Sequence, residues 1–336
     1  MNLQIISYLC SRNMETAKPW VSFILTYYNL PVQMLCECID SIRALSLTPQ
    51  EREIIVIDDG SELSPMNALM HYGDELIYVR QKNQGLSAAR NTGIGMATGQ
   101  YLQFVDADDH LLQSAYEYCL DIIRMGANVD MVLFDFTTKS TESQTTFNNQ
   151  FYVSGSQYML SQNIHGTAWG YLFRRTTLGE LRFTAGIYHE DEEFTPQLLI
   201  RAEKICVTNA KAYYYYKRPG SITTNADEAK KKKRLDDSLG VLTRLRELCD
   251  HVAQDDRTAL KRRIAQLTMD YIYQTIIQQR SSRALDKRIE QLRQEGFFPL
   301  PDQNYSQKYT WFRRMTNNTL GRRLLLHTLP LLSKER

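Results

Sequence analysis

Short apolar runs recur through the first half of the chain, at 21–25 (VSFIL), 53–57 (EIIVI), 76–80 (LIYVR), 101–105 (YLQFV) and 130–136 (DMVLFDF). Runs of this length, bounded by polar turns, predict strands buried on both faces. Between them the apolar positions fall at helical spacing. Leu35, Cys38, Ile39, Ile42 and Leu45 line one face of 31–47, with Pro31 near the helix start. A short helix is expected within 64–72, a longer one over 86–97 closed by Gly99, and another from after Asp109 to about Arg124. Strand and helix in alternation predict a mixed, mostly parallel α/β sheet flanked by helices.

The pattern then loosens. Residues 137–150 are polar without a period and read as a loop or hairpin tip, and 152–164 read as a helix entered through Ser154 or Ser156. Acidic residues 190–193 open a helix to about Arg201, and a strand over 205–216 ends in four consecutive tyrosines. From 226 the texture is purely helical: Leu235, Leu239, Leu242, Leu245 and Leu248, then Leu260, Ile264, Leu267 and Tyr271, then Leu285, Ile289 and Leu292, each set on one face. The expected division is a leader at 1–19 without fold (or a start at Met14), an α/β domain at 20–225, a helical extension at 226–300 and a basic amphipathic tail at 301–336.

The ends of the strands carry the chemistry. Three of them run into Thr26-Tyr-Tyr-Asn29, Asp58-Asp-Gly-Ser61 and Asp106-Ala-Asp-Asp109. In a parallel sheet these loops leave the same carboxyl edge, where ligands of open α/β sheets bind. Each loop alone is an ordinary turn or helix cap; together they make a rim. Bunched carboxylates repel one another unless a cation joins them, and oxygen ligands suit Mg²⁺ or Mn²⁺.

Composition narrows the class. The chain has 336 residues, 43% hydrophobic and 23% charged, with a net charge of +2, which does not suit a surface built for nucleic acid. Its six cysteines (10, 36, 38, 119, 206 and 249) include no CxxC, so neither a zinc site nor a disulfide framework is expected. No apolar run is long enough to span a bilayer. The tail from 308 to 336 holds seven Lys/Arg and one acid among aromatics and leucines, which fits contact with an anionic membrane surface or packing on protein. The Lys230–Arg234 cluster reads as the solvated start of a helix.

In order and spacing, these loops together with Asn83-Gln-Gly-Leu-Ser-Ala-Ala-Arg-Asn91 and Gly99-Gln-Tyr101 resemble the family 2 glycosyltransferases of GT-A fold over roughly 20–225. Trp169, Leu172-Phe-Arg174, Glu190-Asp191 and Arg218-Pro-Gly-Ser221-Ile-Thr are similar to later parts of that family. Thr26 stands where many members carry proline. The resemblance implies an inverting, non-processive hexosyltransferase that uses a nucleotide-diphosphate sugar, taken as a UDP-sugar, and a hydroxyl of a glycan or lipid-linked acceptor. It implies a role in surface polysaccharide assembly at the cytoplasmic face of the membrane. By motif, Thr26, Tyr28 and Asp59 would hold the base, with Asn29, Asp58 and Gly85 among the donor contacts. Asn83 and Arg90 would lie near nucleotide and sugar. Asp106 would bind ribose or sugar and share the metal held by Asp108. Arg218 and Ser221 would meet the diphosphate. Asp191 would be the base, with Glu190 as its alternative, and Asp109 a structural cap. The competing readings are a catalytically inactive nucleotide-sugar-binding partner and a nucleotidyltransferase of similar architecture. A dinucleotide fold is disfavoured, because Gly93-x-Gly…Gly99 closes a helix instead of opening one.

Overall fold

The computed structural model describes residues 18–126, 128–139, 146–147, 150–218 and 227–332. Ser221, and the expected leader apart from its last two residues, lie outside the described residues. In chain order the elements are β1 (Val21–Tyr27), α1 (Val32–Arg43), β2 (Arg52–Asp58), α2 (Met66–Leu69), β3 (Leu76–Arg80), α3 (Leu86–Met96), β4 (Tyr101–Asp106), β5 (His110–Leu111) and α4 (Gln113–Arg124). There follow β6 (Met131–Thr137), β7 (Gln150–Val153), α5 (Gly155–Ser161), β8 (Tyr171–Arg174), α6 (Arg175–Leu178), α7 (Glu190–Leu199) and β9 (Ile205–Tyr214). Five helices complete the chain: α8 (Glu228–Cys249), α9 (Gln254–Gln279), α10 (Ser282–Gln294), α11 (Gln307–Asn317) and α12 (Thr319–Leu332).

The chain packs as two compact units, one drawn from residues up to 155 and from 166 to 221, the other from 156–165 and from 222 onward. In the first, the strands order as β3-β2-β1-β4-β8-β6-β9-β5, with β7 also on β9. Parallel pairings run over five to seven residues and antiparallel ones over two to four, so the sheet is mixed and mostly parallel by register. Strand β1 is buried on both faces because helices cover both. Val21, Phe23 and Leu25 pack with Leu35, Cys38, Ile39 and Ile42 of α1 and with Tyr116 and Leu120 of α4. Each large aliphatic side chain buried here contributes roughly 1.5–3 kcal/mol. On the other face, Ile24 lies so close beneath α3 that a Cβ on Gly93 would come within 2.2 Å of its Cγ2.

Two local expectations are corrected. Gly99 does not close α3 in a left-handed turn; α3 ends through Ala97 in an extended conformation. Gly99 instead lies against β1, its N–H donating to Ser22 Oγ at 2.9 Å. A Cβ there would meet the Ser22 backbone nitrogen at 2.7 Å. The helix expected over 152–164 is only the seven residues of α5. Before it, Gln150–Val153 pair antiparallel with Ile205–Thr208 because the long strand β9 offers a free edge to a β-prone segment.

The second unit has its own core, from Leu235, Leu239 and Leu242 of α8, Ile272 and Ile276 of α9, Leu285, Ile289 and Leu292 of α10, Phe312 of α11 and Leu325 of α12. Buried Arg262 and Arg263 of α9 donate to the carbonyls of Met159 and Ile164 at 3.0 and 2.9 Å, which fastens the 156–165 segment into this unit. No described helix is long and apolar enough to cross a membrane.

Replacing Gly99 by alanine forces a methyl against immovable β1 backbone. We expect Gly99→Ala to lower the unfolding free energy by about 1–3 kcal/mol in urea titrations.

Candidate functional site

The register of the sheet sets up the rim. Thr26 of β1 is level with Ile57 of β2 and Asp106 of β4, and Tyr27 is level with Asp58. The loops after β1, β2 and β4 therefore open side by side, as the strand ends led us to expect. Tyr28 and Asn83 stand exposed on this rim and Thr26 is half-buried. Asn29 stitches two loops together, its N–H donating to Ser61 Oγ at 3.0 Å and its side-chain oxygen accepting from the Glu62 N–H at 2.8 Å.

The two acids after β2 have different surroundings. Asp58 has no exposed surface. Its oxygens accept from the Ser61 N–H and the Tyr78 hydroxyl, both at 2.8 Å. Asp58 braces its own turn. Asp59 accepts from Gln81 Nε2 at 2.7 Å and from the N–H groups of Gln84 at 3.0 Å and Gly85 at 2.8 Å. It thereby ties the loop before α3 to β2. Gly85 turns that loop with φ at 90°, a conformation that suits glycine.

Arg90, on the buried face of α3, is the centre of the site. It donates through Nη1 to Glu190 Oε1 at 2.7 Å and through Nη2 to Asp106 Oδ1 at 3.1 Å. Its guanidinium lies over the rings of Phe183 and Phe104, at 5.3 and 5.9 Å from their centroids. Phe183 also stacks on Phe194 of α7 with centroids 3.8 Å apart. Burial disfavours the charge on Arg90, but Asp106, Glu190 and Asp191 more than offset this and raise its pKa. Glu190 and Asp191 occupy the first turn of α7, whose dipole favours negative charge. Burial, with Glu190 adding repulsion and Arg90 opposing it, leaves the Asp191 carboxyl pushed up to about 8. Its side chain accepts from the Glu192 N–H at 2.9 Å.

The carboxylates after β4 split three ways. Asp106 faces Arg90; burial raises its pKa, Arg90 lowers it and Asp108 raises it further. Asp108 accepts from Arg218 Nε at 2.5 Å. Asp109 does not cap α4, whose N-cap is Leu112 without a side-chain bond. It accepts from the Tyr213 hydroxyl at 2.8 Å and from the Tyr216 N–H at 2.7 Å, so it is a clasp to β9. Burial foremost, then Asp106, pushes its carboxyl up to about 8.

The structure thus brings Arg90, Asp106, Asp108, Glu190, Asp191 and Arg218 into one cluster. Four carboxylates face two guanidinium groups, a surplus that favours a bound cation. Among the described residues no three His, Cys, Asp or Glu side chains form a metal cage. Asp106 and Asp108 are nevertheless the oxygen ligands that would hold a hard divalent cation here, were substrate and water to complete its shell. The electrostatic fit is visible in Arg218, a cation already drawn onto Asp108. Tyr213 was not anticipated as a site residue. Its hydroxyl accepts from the Asp106 N–H at 3.1 Å while donating to Asp109, and its ring stacks on Trp169 at 4.3 Å. The run of four tyrosines was its only trace in the sequence.

Residues 22–182 match the profile of "Glycosyl transferase family 2". The chain is 29% identical over 224 residues to the glycosyltransferase GlyA of Streptococcus pneumoniae, a match covering 60% of this chain and 31% of GlyA, so the chain spans less than a third of that relative. Among solved structures it resembles S. aureus TarS 1-349 in complex with UDP-GlcNAc, with a TM-score of 0.54, 18% identity and 88% and 90% of the two chains covered. It also resembles the mannosyltransferase PcManGT from Pyrobaculum calidifontis in complex with GDP-Man and Mn²⁺, with a TM-score of 0.56, 14% identity and 93% and 88% covered. At these identities the likeness shows a shared fold, the GT-A fold.

Losing Arg90 would leave Glu190 and Asp106 as buried, uncompensated charges. We expect Arg90→Met to destabilise the protein by about 3–5 kcal/mol in denaturant unfolding at neutral pH, with much of the loss recovered when Glu190→Gln is added.

Proposed function

We propose that this chain, which belongs to glycosyl transferase family 2 through residues 22–182, is an inverting transferase that moves one sugar from a nucleotide-diphosphate donor to an acceptor hydroxyl. The observation that carries this reading is the division of labour around Arg90. Glu190 is held in an ion pair at 2.7 Å, while Asp191 beside it has no ion pair among the described residues. Asp191 is therefore the carboxylate available as base, and Glu190 positions Arg90. A raised pKa makes an ionised carboxylate a better proton acceptor for a hydroxyl near neutral pH. The acceptor oxygen forms its bond to C1 from the face opposite the leaving group. Its proton passes to Asp191, and the electrons of the C1–O bond leave with the nucleoside diphosphate. One base opposite one leaving group inverts the anomeric centre.

Exposed Tyr28 offers a ring for the base; half-buried Thr26 lies near the end of the strand that leads to it, and buried Asp59, on the adjoining loop, would reach the base through its remaining acceptor capacity. Asp106 holds ribose or sugar through its contact with Arg90, and Asn83 closes the same side. A divalent cation on Asp108 and Asp106 supplies charge neutralisation for the departing diphosphate when bound. Arg218, within bonding distance of Asp108, meets the same diphosphate. TarS with UDP-GlcNAc and PcManGT with GDP-Man and Mn²⁺ support a nucleotide-sugar donor and a metal. We take UDP as the nucleotide, since a carboxylate at Asp59 accepts from the N3–H of uracil. The acceptor is a glycan or a lipid-linked saccharide.

Nucleotide release from a panel of UDP- and GDP-sugars with Mn²⁺ or Mg²⁺ tests the reading directly. Release from none of them, with the protein folded, overturns it. Asp191→Asn is expected to abolish transfer, by at least about a hundredfold, while donor binding by calorimetry stays near the parent value. Asp108→Ala is expected to lose metal dependence and donor affinity together; unchanged donor binding with Mn²⁺ counts against its role. A base must be ionised to work, so kcat/KM is expected to climb with pH and level off only near 8, not near 4 as for an ordinary carboxylate.

A further inference from the structure

The basic tail forms two helices whose outward side chains have no role in the site described above. Past its first residue, the exposed positions described on α12 are Leu320, Arg323, Leu324, His327 and Leu331. At 3.6 residues per turn they share an arc of roughly 100°. The opposite side holds Leu325, fully buried, and Gly321, where a Cβ would lie 2.3 Å from the Met315 carbonyl oxygen of α11. The tail is therefore packed on its own unit by one face and leaves the other uncovered. Leu320, Leu331 and Leu324 are 72%, 67% and 53% exposed, and Trp311 of α11 is 51% exposed.

The arginines divide in the same way. Arg313 pairs with Asp302, and Arg322 donates to the Thr316 carbonyl at 2.8 Å and faces Asp286 at 3.5 Å. Arg314 and Arg323 are exposed and carry no ion pair among the described residues, whereas Lys308, also exposed, acts electrostatically on the Asp270 carboxyl of α9. No Asp or Glu occurs between Gln307 and Leu332.

We propose that the outward faces of α11 and α12 dock the protein on an anionic lipid bilayer. Leucines and a tryptophan on the surface of a helical pair, interleaved with unneutralised cations, suit the boundary between headgroups and acyl chains. Charge complementarity selects the partner. A second copy meeting this face about a two-fold axis would set like cations against one another. An anionic bilayer neutralises Arg314 and Arg323 without requiring acids in register. The helices lie on the membrane and do not cross it. This inference goes beyond the transferase reading and does not depend on it.

The test is flotation of the full chain with vesicles of phosphatidylcholine, with and without phosphatidylglycerol. Binding is expected only with phosphatidylglycerol and is expected to fall with salt. Leu320→Asp with Leu324→Asp, and separately Arg314→Glu with Arg323→Glu, should each weaken partition about tenfold or more. Unfolding curves of these surface variants should overlay the parent's. Asp191→Asn should bind vesicles like the parent, which separates this result from any failure of the proposed activity. The proposal is overturned if the parent ignores phosphatidylglycerol vesicles, or if either double variant binds them undiminished. It is also overturned if sedimentation shows a dimer that Leu320→Asp with Leu324→Asp disperses while vesicle binding persists.

Discussion

One buried guanidinium organises this site. Arg90 spans sixteen residues to Asp106 and a hundred to Glu190, so α3, β4 and α7 are locked together by two short ion pairs. Burying a charge is costly, and it persists only where partners and geometry compensate. Here the compensation has two parts. Carboxylates satisfy the charge in the guanidinium plane, and Phe104 and Phe183 cover its faces. The aromatic stack of Phe183 on Phe194 in turn fixes the first turn of α7, where Asp191 sits. Asn91 reinforces the same junction by exchanging two hydrogen bonds, at 2.8 and 2.9 Å, with the Phe183 backbone.

How much of this was legible in the sequence follows from which forces are local. The strands β1, β2 and β4 could be read because they are buried on both faces and their apolar runs are nearly unbroken. The shared rim followed from parallel order alone. The misreadings came where a tertiary contact decided the matter. Gly99 stands near a helix end, which suggests a cap, yet its lack of a side chain serves the approach to Ser22 on β1. Residues 150–153 pair with β9, a partner more than fifty residues away that no local period announces. Asp58 and Asp59 look equivalent as neighbours on a turn. Only the structure shows Asp58 turned inward to Tyr78 and Asp59 turned toward the Gly85 loop.

The acids after β4 make the same point about chemistry. Three carboxylates in four positions read as one cation site, but β9 takes one away. Asp109 is consumed by Tyr213 and the Tyr216 N–H, and its high pKa reflects burial in that clasp. Since side chains alternate along a strand, Tyr213 and Tyr215 both turn toward Trp169, while Tyr214 stacks on His110 at 4.5 Å. The four tyrosines are thus the end of one strand serving two faces, and the first of them shapes the turn that presents Asp106 and Asp108.

What remains at the rim is an electrostatic imbalance built to be relieved by a ligand. Arg90 is committed at both ends and shielded by rings, so it is a fixed charge. Arg218 is different: it stands on the loop beyond β9, with Asp108 as its one carboxylate partner among the described residues and part of its side chain in solvent. A partly solvated pair of this kind is worth much less than the buried one. The two arginines therefore divide the work by burial. Arg90 holds the frame against the repulsion of its own carboxylates. Arg218 neutralises Asp108 only weakly, so a divalent cation, were one to bind here, would compete for that carboxylate and would leave the guanidinium free to face an anionic ligand.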